Sequence, residues 1–305
     1  MVSVNCLEFK DICFYYKEDN LILDYLNAKF VGGKIIALLG INGCGKTTLF
    51  KILTGVYRPK NGTLSYNGAV IDSHNILEYK STIGYMPEFL QMYNNMYIRD
   101  VLKLLADLKG YKFIDIDEVL LMVSLSQHSH KKVKALSKGM KQKLNLAQAI
   151  VGNPKVILFD EPSNGFDCGS IDVFYNILRK IASTGAIVLI SSHHLVEIYG
   201  NVDNVVILSK GKIIKEVDIN CMDYNDNFTY KEILIFIDGY FDDDFLLYLR
   251  KNCINVSIKR NNVLSGRVNN KIFIGLLLEI IRRNFTIRDI RLEDKILEEM
   301  LLDLS

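Results

Sequence analysis

The segment Gly40-Ile41-Asn42-Gly43-Cys44-Gly45-Lys46-Thr47 follows directly on the apolar run Ile35–Leu39. It precedes a helix pattern, Thr48–Thr54, closed by Gly55. The spacing satisfies G-x-x-x-x-G-K-[ST], which suits a chain of phosphates. Glycines let successive backbone N–H groups curl around an anion, and the N-terminus of the next helix adds positive partial charge. Lys46 is spaced to reach β- and γ-phosphates, and the Thr47 hydroxyl to bind Mg²⁺. The candidate nucleotide-binding set is therefore Gly40, Asn42, Gly43, Cys44, Gly45, Lys46, Thr47 and Thr48. A handful of charge-assisted hydrogen bonds, about 1.5–3 kcal/mol each, could hold a triphosphate at roughly micromolar affinity. Because Cys44 falls inside the loop, a bulky thiol reagent is expected to block binding.

A second concentration of chemistry lies at Val156-Ile157-Leu158-Phe159-Asp160-Glu161, an apolar run ending in two carboxylates. A buried strand that presents acids at its C-terminal end puts them where ligands bind in α/β sheets. Asp160 is the candidate for the Mg²⁺ shell, acting through water, because Mg²⁺ takes oxygen ligands and keeps several waters. Glu161 is the candidate general base for an attacking water. Up to this point a kinase, a GTPase or a motor remains open, although no Asn-Lys-x-Asp guanine-reading motif appears.

The elements that must position these residues can be read from the same pattern. Short apolar runs at Ile35–Leu39, Val156–Phe159, Ile187–Ile190 and Val205–Leu208 lack alternation and suit strands buried on both faces. Amphipathic stretches lie between them, which predicts an α/β domain. The four prolines all fall at element boundaries. Residues 89–152 read as a helical subdomain inside that domain. There Val101, Leu102, Leu105 and Leu108 share a face before the stop at Gly110, and Met140, Leu144, Ala147 and Val151 form a second stripe. After Lys210-Gly211-Lys212 the texture changes. Strand, helix and strand patterns at Glu232–Ile237, Asp242–Lys251 and Asn255–Lys259 are followed by Val263–Val268, Lys271–Arg283 and Thr286–Arg291. The order βαββαβ resembles a split βαβ unit, with a last helix over Asp294–Leu302. The expected organisation is a first domain over residues 1–218 and a small α+β accessory domain over residues 219–305.

Composition narrows the classes further. The chain has 305 residues, 49% hydrophobic and 24% charged, with net charge +2. Such near-neutrality fits poorly with an extended nucleic-acid surface. Six cysteines show no CxxC pair and no metal-ligand spacing, and read as reduced thiols in a cytosolic compartment. No secretory signal pattern opens the sequence, and the longest apolar runs fall far short of the ~20 residues that a membrane helix requires. A soluble, cytoplasmic protein is expected.

Further motifs resemble the ABC ATPase family over roughly residues 1 to 215. Leu136-Ser137-Lys138-Gly139-Met140 is similar to the family's signature motif LSGGQ, departing from it at Lys138 and Met140. Ser163-Asn164-Gly165-Phe166-Asp167 resembles the D-loop, and Ile190-Ser191-Ser192-His193 the switch-histidine motif. Tyr16 matches the aromatic that stacks on adenine, with Tyr15 next to it. Glu88, in Ile83-Gly84-Tyr85-Met86-Pro87-Glu88, stands where the family usually has Gln, and Gln91 is the alternative.

The resemblance implies a fold, a set of roles and partners. The fold is α/β, a P-loop ABC ATPase domain with a helical subdomain, here followed by a small C-terminal α+β domain. It implies that Ser137 and Gly139 touch γ-phosphate from a partner subunit, that Asp167 of the D-loop contributes to nucleotide binding, and that His193 rather than His194 contacts γ-phosphate. It implies Mg²⁺ held by Thr47, Glu88 and Asp160, with ATP as the nucleotide. Two subunits, as a homodimer or a heterodimer with a related ATPase, would close head to tail on ATP. The chain resembles bacterial export or multidrug-type subunits, which power a separate transmembrane permease and sit on the inner face of the membrane through it. The alternative is a soluble ABC ATPase acting on ribosomes or nucleic acid. Such members carry paired ATPase units, coiled coils or zinc modules that this sequence lacks.

Overall fold

A computed structural model of the chain describes residues 5–17, 20–88, 93–162, 166, 168–192, 201–218, 230–238, 241–252, 256–260, 262–269, 276, 279–280, 282–283 and 285–293. Two compact units divide it, Met1–Asn220 and Cys221–Ser305. In the first, β1 (Cys6–Tyr15), β2 (Leu21–Val31), β4 (Asn61–Tyr66) and β5 (Ala69–Val70) form an antiparallel sheet in the order β2-β1-β4-β5. A second sheet joins β3 (Ile35–Leu39), β6 (Ile83–Met86), β7 (Val156–Asp160), β8 (Ile187–Ser192), β9 (Asn204–Ser209) and β10 (Lys212–Asp218). Its order among the described residues is β10-β9-β3-β8-β7-β6, parallel except for β10. Every residue of β3, β7 and β8 is buried, the pattern expected where both sheet faces are covered.

The helices explain how this sheet is covered. Helix α1 (Lys46–Leu53) packs Leu49, Phe50, Ile52 and Leu53 into a core shared with β1, β3, β7 and β8. Each such side chain contributes about 1.5–3 kcal/mol on burial. After α2 (Ile76–Ser81), helices α3 (Ile98–Leu108), α4 (Ile116–Met122) and α5 (Lys138–Ile150) build the helical region, and α6 (Cys168–Ser183) follows β7. On α3 the buried stripe is Ile98, Val101, Leu102 and Ala106. Leu108, expected on that stripe, is 75% exposed because it lies on the last turn, just before the chain reverses at Gly110. On α5 the apolar stripe of Leu144, Ala147 and Val151 is fully buried, but Gln142, Asn145 and Gln148 are buried with it.

The second unit has its own core. Strands β11 (Tyr230–Asp238), β12 (Val256–Arg260), β13 (Val263–Asn269) and β14 (Thr286–Glu293) pair antiparallel in the order β12-β13-β11-β14. Helix α7 (Asp243–Asn252) connects β11 to β12, and Leu276, Glu279, Ile280 and Arg282 are helical between β13 and β14. Ile233, Ile235 and Ile237 alternate inward beneath Phe245, Leu249, Leu276 and Ile280. The expected final helix, Asp294–Leu302, lies outside the described residues.

Candidate functional site

The phosphate loop forms at the C-terminal end of β3, between buried strand and buried helix. Gly43 and Gly45 adopt φ of 82° and 114°, a left-handed region that favours glycine. A Cβ at Gly45 would press on Leu23 at 2.7 Å, whereas the space around Gly43 is open. The loop thus has a packed inner side and an accessible outer one. Helix α1 starts at Lys46 with no side-chain cap and no acid in its first turn. Its leading N–H groups are therefore available to an anion.

Lys46 is the charged centre of this loop. Its Nζ donates to the Gly40 carbonyl at 2.6 Å and the Ile41 carbonyl at 3.4 Å, and lies 3.3 Å from Glu161 Oε1. Both side chains of that ion pair are about nine-tenths buried. Thr47 is exposed at the helix start, while Thr48 is buried and lies within 3.1 Å of the Tyr16 hydroxyl. Tyr16 is 53% exposed and meets Phe14 and Tyr57 edge-on. Tyr15 instead stacks under Lys60, so of the two neighbouring tyrosines it is Tyr16 that reaches the loop helix.

Cys44 departs from what its position in the loop suggests. Its side chain is buried in the hydrophobic core, with only its backbone contributing to the loop. Burial pushes the thiol above its ordinary range, against the pull of the Lys46 charge. A thiol reagent should therefore react slowly there, because the thiolate is the nucleophile.

The two carboxylates at the end of β7 have different surroundings. Asp160 is buried, accepts a 2.6 Å hydrogen bond from Ser191 Oγ, and accepts a longer one, 3.4 Å, from the Tyr85 hydroxyl. Burial and the adjacent Asp160 both push the Tyr85 hydroxyl above its usual range, so it stays a donor. Glu161 has φ of 48°, uncommon for a residue with a side chain, and its N–H donates to the same Ser191 Oγ at 3.0 Å. Ser191 and Tyr85 were not singled out from sequence. For Ser191 the signal is a polar residue at the C-terminal end of an apolar strand run, level with Asp160 on the neighbouring strand; Tyr85 sits inside β6 opposite Leu158 and carries no such signal.

The remaining candidates fall in three groups. Ser137 is the N-cap of α5, with Oγ accepting the Met140 N–H at 3.3 Å, and it is exposed beside half-buried Gly139. Glu88 is half-buried, two residues beyond β6. Asp167 and His193 lie outside the described residues, as does Gln91. Among the described residues no three His, Cys, Asp or Glu side chains converge in a metal-binding cluster. The donors at the loop, a threonine hydroxyl and carboxylates, are all oxygen, which fits Mg²⁺ rather than a thiophilic metal.

The family model described as ABC transporter matches residues 23–164. The uncharacterized ABC transporter ATP-binding protein MJ1023 of Methanocaldococcus jannaschii is 32% identical over 203 residues, covering 65% of this chain and 72% of that protein. This chain belongs to the ABC transporter ATP-binding family. The lantibiotic transport ATP-binding protein SrtF of Streptococcus pyogenes is 33% identical over 195 residues, 64% of this chain and 83% of its own. Among solved structures, an ATP-binding subunit of an ABC transporter aligns with TM-score 0.65 at 27% identity, over 70% of this chain and 90% of that one. As a family member the chain binds ATP and is an ATPase. No helix among the described residues is long and apolar enough to cross a membrane.

Proposed function

We propose that this ABC ATPase powers a separate membrane-spanning permease, in the export direction, through ATP-dependent closure of two subunits. The observation that carries the reading is the buried meeting of Lys46 and Glu161, 3.3 Å apart, with Asp160 beside them on Ser191. Lys46 follows β3, and Asp160 and Glu161 close β7, two parallel strands on either side of β8, so all three lie at the C-terminal edge of the sheet, where ligands bind in such folds. Lys46 and the loop N–H groups would hold the phosphates. Glu161 would take the proton of the attacking water. The ring of Tyr16 would stack on adenine, and Thr47, Asp160 and Glu88 would hold Mg²⁺. That ion would offset charge on the phosphate oxygens. Ser137 and Gly139 of one subunit would contact γ-phosphate on the other, with Asp167 contributing to nucleotide binding and His193 near the attacking water.

The subunit class draws support from SrtF, whose name assigns it to lantibiotic transport, and from the family match over residues 23–164. Docking to the permease through the segment from about Glu88 to Leu108 fits the exposure of Tyr97 and Leu108. Residues 219–305 form an accessory domain in this reading, and the whole sits at the cytoplasmic face of a membrane without contacting nucleic acid.

The test is oligomeric state by light scattering with and without ATP, for wild type and Glu161→Gln. An ATP-dependent dimer that persists in Glu161→Gln, together with a loss of steady-state hydrolysis of about a hundred-fold or more, is the expected result. A variant that binds ATP, stays monomeric and still hydrolyses at the wild-type rate would overturn the assignment of Glu161 and the trapped-nucleotide dimer together.

A further inference from the structure

Helix α5 carries polar side chains where an apolar stripe alone would suffice. Gln142, Asn145 and Gln148 are 8%, 1% and 9% exposed. Each donates to a backbone carbonyl beyond the helix. Asn145 Nδ2 reaches Pro87 O at 2.8 Å, and Gln148 Nε2 reaches Tyr85 O at 2.6 Å and Asn145 Oδ1 at 3.1 Å. These bonds fix α5 to the end of β6. From that fixed base Gln142 Nε2 donates to the Pro162 carbonyl at 3.0 Å, immediately beyond Glu161.

Glu161 sits in a left-handed conformation with φ of 48°. A non-glycine residue stays there only where its surroundings over-determine it. On its amino side the Ser191 hydroxyl accepts the Glu161 N–H at 3.0 Å. On its carboxyl side the next carbonyl, that of Pro162, is the one Gln142 holds. We infer that Gln142 is a positioning residue that keeps Glu161 in its left-handed conformation, and that α5 thereby links the capped end at Ser137 to the hydrolytic centre of its own subunit. The inference rests on Glu161 being the base. Removing the amide leaves a buried carbonyl without its donor and lets the segment after β7 relax, so the effect falls on the chemical step rather than on nucleotide affinity.

The experiment is steady-state ATP hydrolysis by the full chain for Gln142→Met, which keeps length and loses the donor, and for the double variant with Glu161→Gln. Gln142→Met is expected to lower kcat about ten-fold, with KM for ATP within about two-fold. The double variant should be no slower than Glu161→Gln alone, because residues acting as one unit are non-additive. Gln142→Asn keeps the amide one methylene short, and serves if the methionine variant does not fold; it should show the same non-additivity. An unchanged kcat, a loss that multiplies with that of Glu161→Gln, or a joint fall in melting temperature and ATP affinity would overturn the inference. Wild-type kcat in Glu161→Gln by itself would overturn the base assignment and the inference with it, and that single variant identifies this case.

Discussion

The parallel sheet of the first unit and the antiparallel sheet of the second solve burial in opposite ways. In β3, β7 and β8 every residue is buried. In β11, Ile233, Ile235 and Ile237 are buried while Leu234 and Phe236 are only half-covered. A strand wrapped on both faces has no side left for polar groups, so its chemistry is confined to its ends, at Gly40, Asp160 and Ser191–Ser192. A half-covered strand can carry polar residues along its length.

Paired core substitutions put the largest strain on this comparison. Phe159 and Phe245 are both fully buried, one in each unit. Each truncation to alanine is expected to cost about 3–5 kcal/mol. Calorimetry should resolve two transitions, with Phe159→Ala lowering one together with ATPase activity, and Phe245→Ala lowering the other while hydrolysis is retained. A single transition that both variants shift equally would mean that the two cores unfold as one.

A smaller effect should be confined to the first unit. Lys109, at the C-terminal end of α3, points Nζ toward the Gln148 carbonyl 3.5 Å away, and burial lowers its pKa from 10.5 to about 8. In the unfolded chain the same group keeps its proton up to 10.5. Between these values the unfolded state binds more protons, so stability rises with pH through that window and is flat below it. The transition of the first unit should therefore climb from pH 8 to 10.5 in wild type, and flatten in Lys109→Met. An equal pH response in both variants would remove Lys109 as the cause.

The smallest contrast compares two helix caps. Ser137 caps α5, and Asp242 accepts the Phe245 N–H at 2.6 Å ahead of α7. Alanine at either should cost about 1 kcal/mol, read as a small drop in the melting temperature of its own unit. Only Ser137→Ala should also slow ATP hydrolysis. Equal activity in the two variants would reduce Ser137 to a cap.

Legibility in the sequence follows the same divide. The runs at Ile35–Leu39, Val156–Phe159, Ile187–Ile190 and Val205–Leu208 announce the parallel sheet because full burial leaves an unbroken apolar signature. The loop from Gly40 to Thr47 is legible because its glycine and lysine spacing is tied to one backbone shape. Strands β1 and β2 escaped such reading. Their register shifts between Phe9 and Ile12, around Asp11 with φ of 52°, which breaks the alternation that would mark them. Gln142, Asn145 and Gln148 escaped for a different reason. A buried amide cannot be told from a solvated one by helical spacing, and its partners are backbone carbonyls of segments distant in sequence. The φ of Glu161 was equally invisible, since nothing in the residue type signals a left-handed backbone.

The contact between Lys46 and Glu161 has a thermodynamic reading of its own. Under the proposed roles of Lys46 and Glu161, an ammonium already matched to a carboxylate and to the Gly40 carbonyl would make nucleotide uptake an exchange of counterions rather than an addition. The arriving triphosphate would compete with an internal anion for the same cation. Success in that competition would release the Glu161 carboxylate as the γ-phosphate arrives. Occupancy and readiness to hydrolyse would then be one equilibrium, and neutralising the internal competitor should tighten nucleotide binding even as it stops turnover.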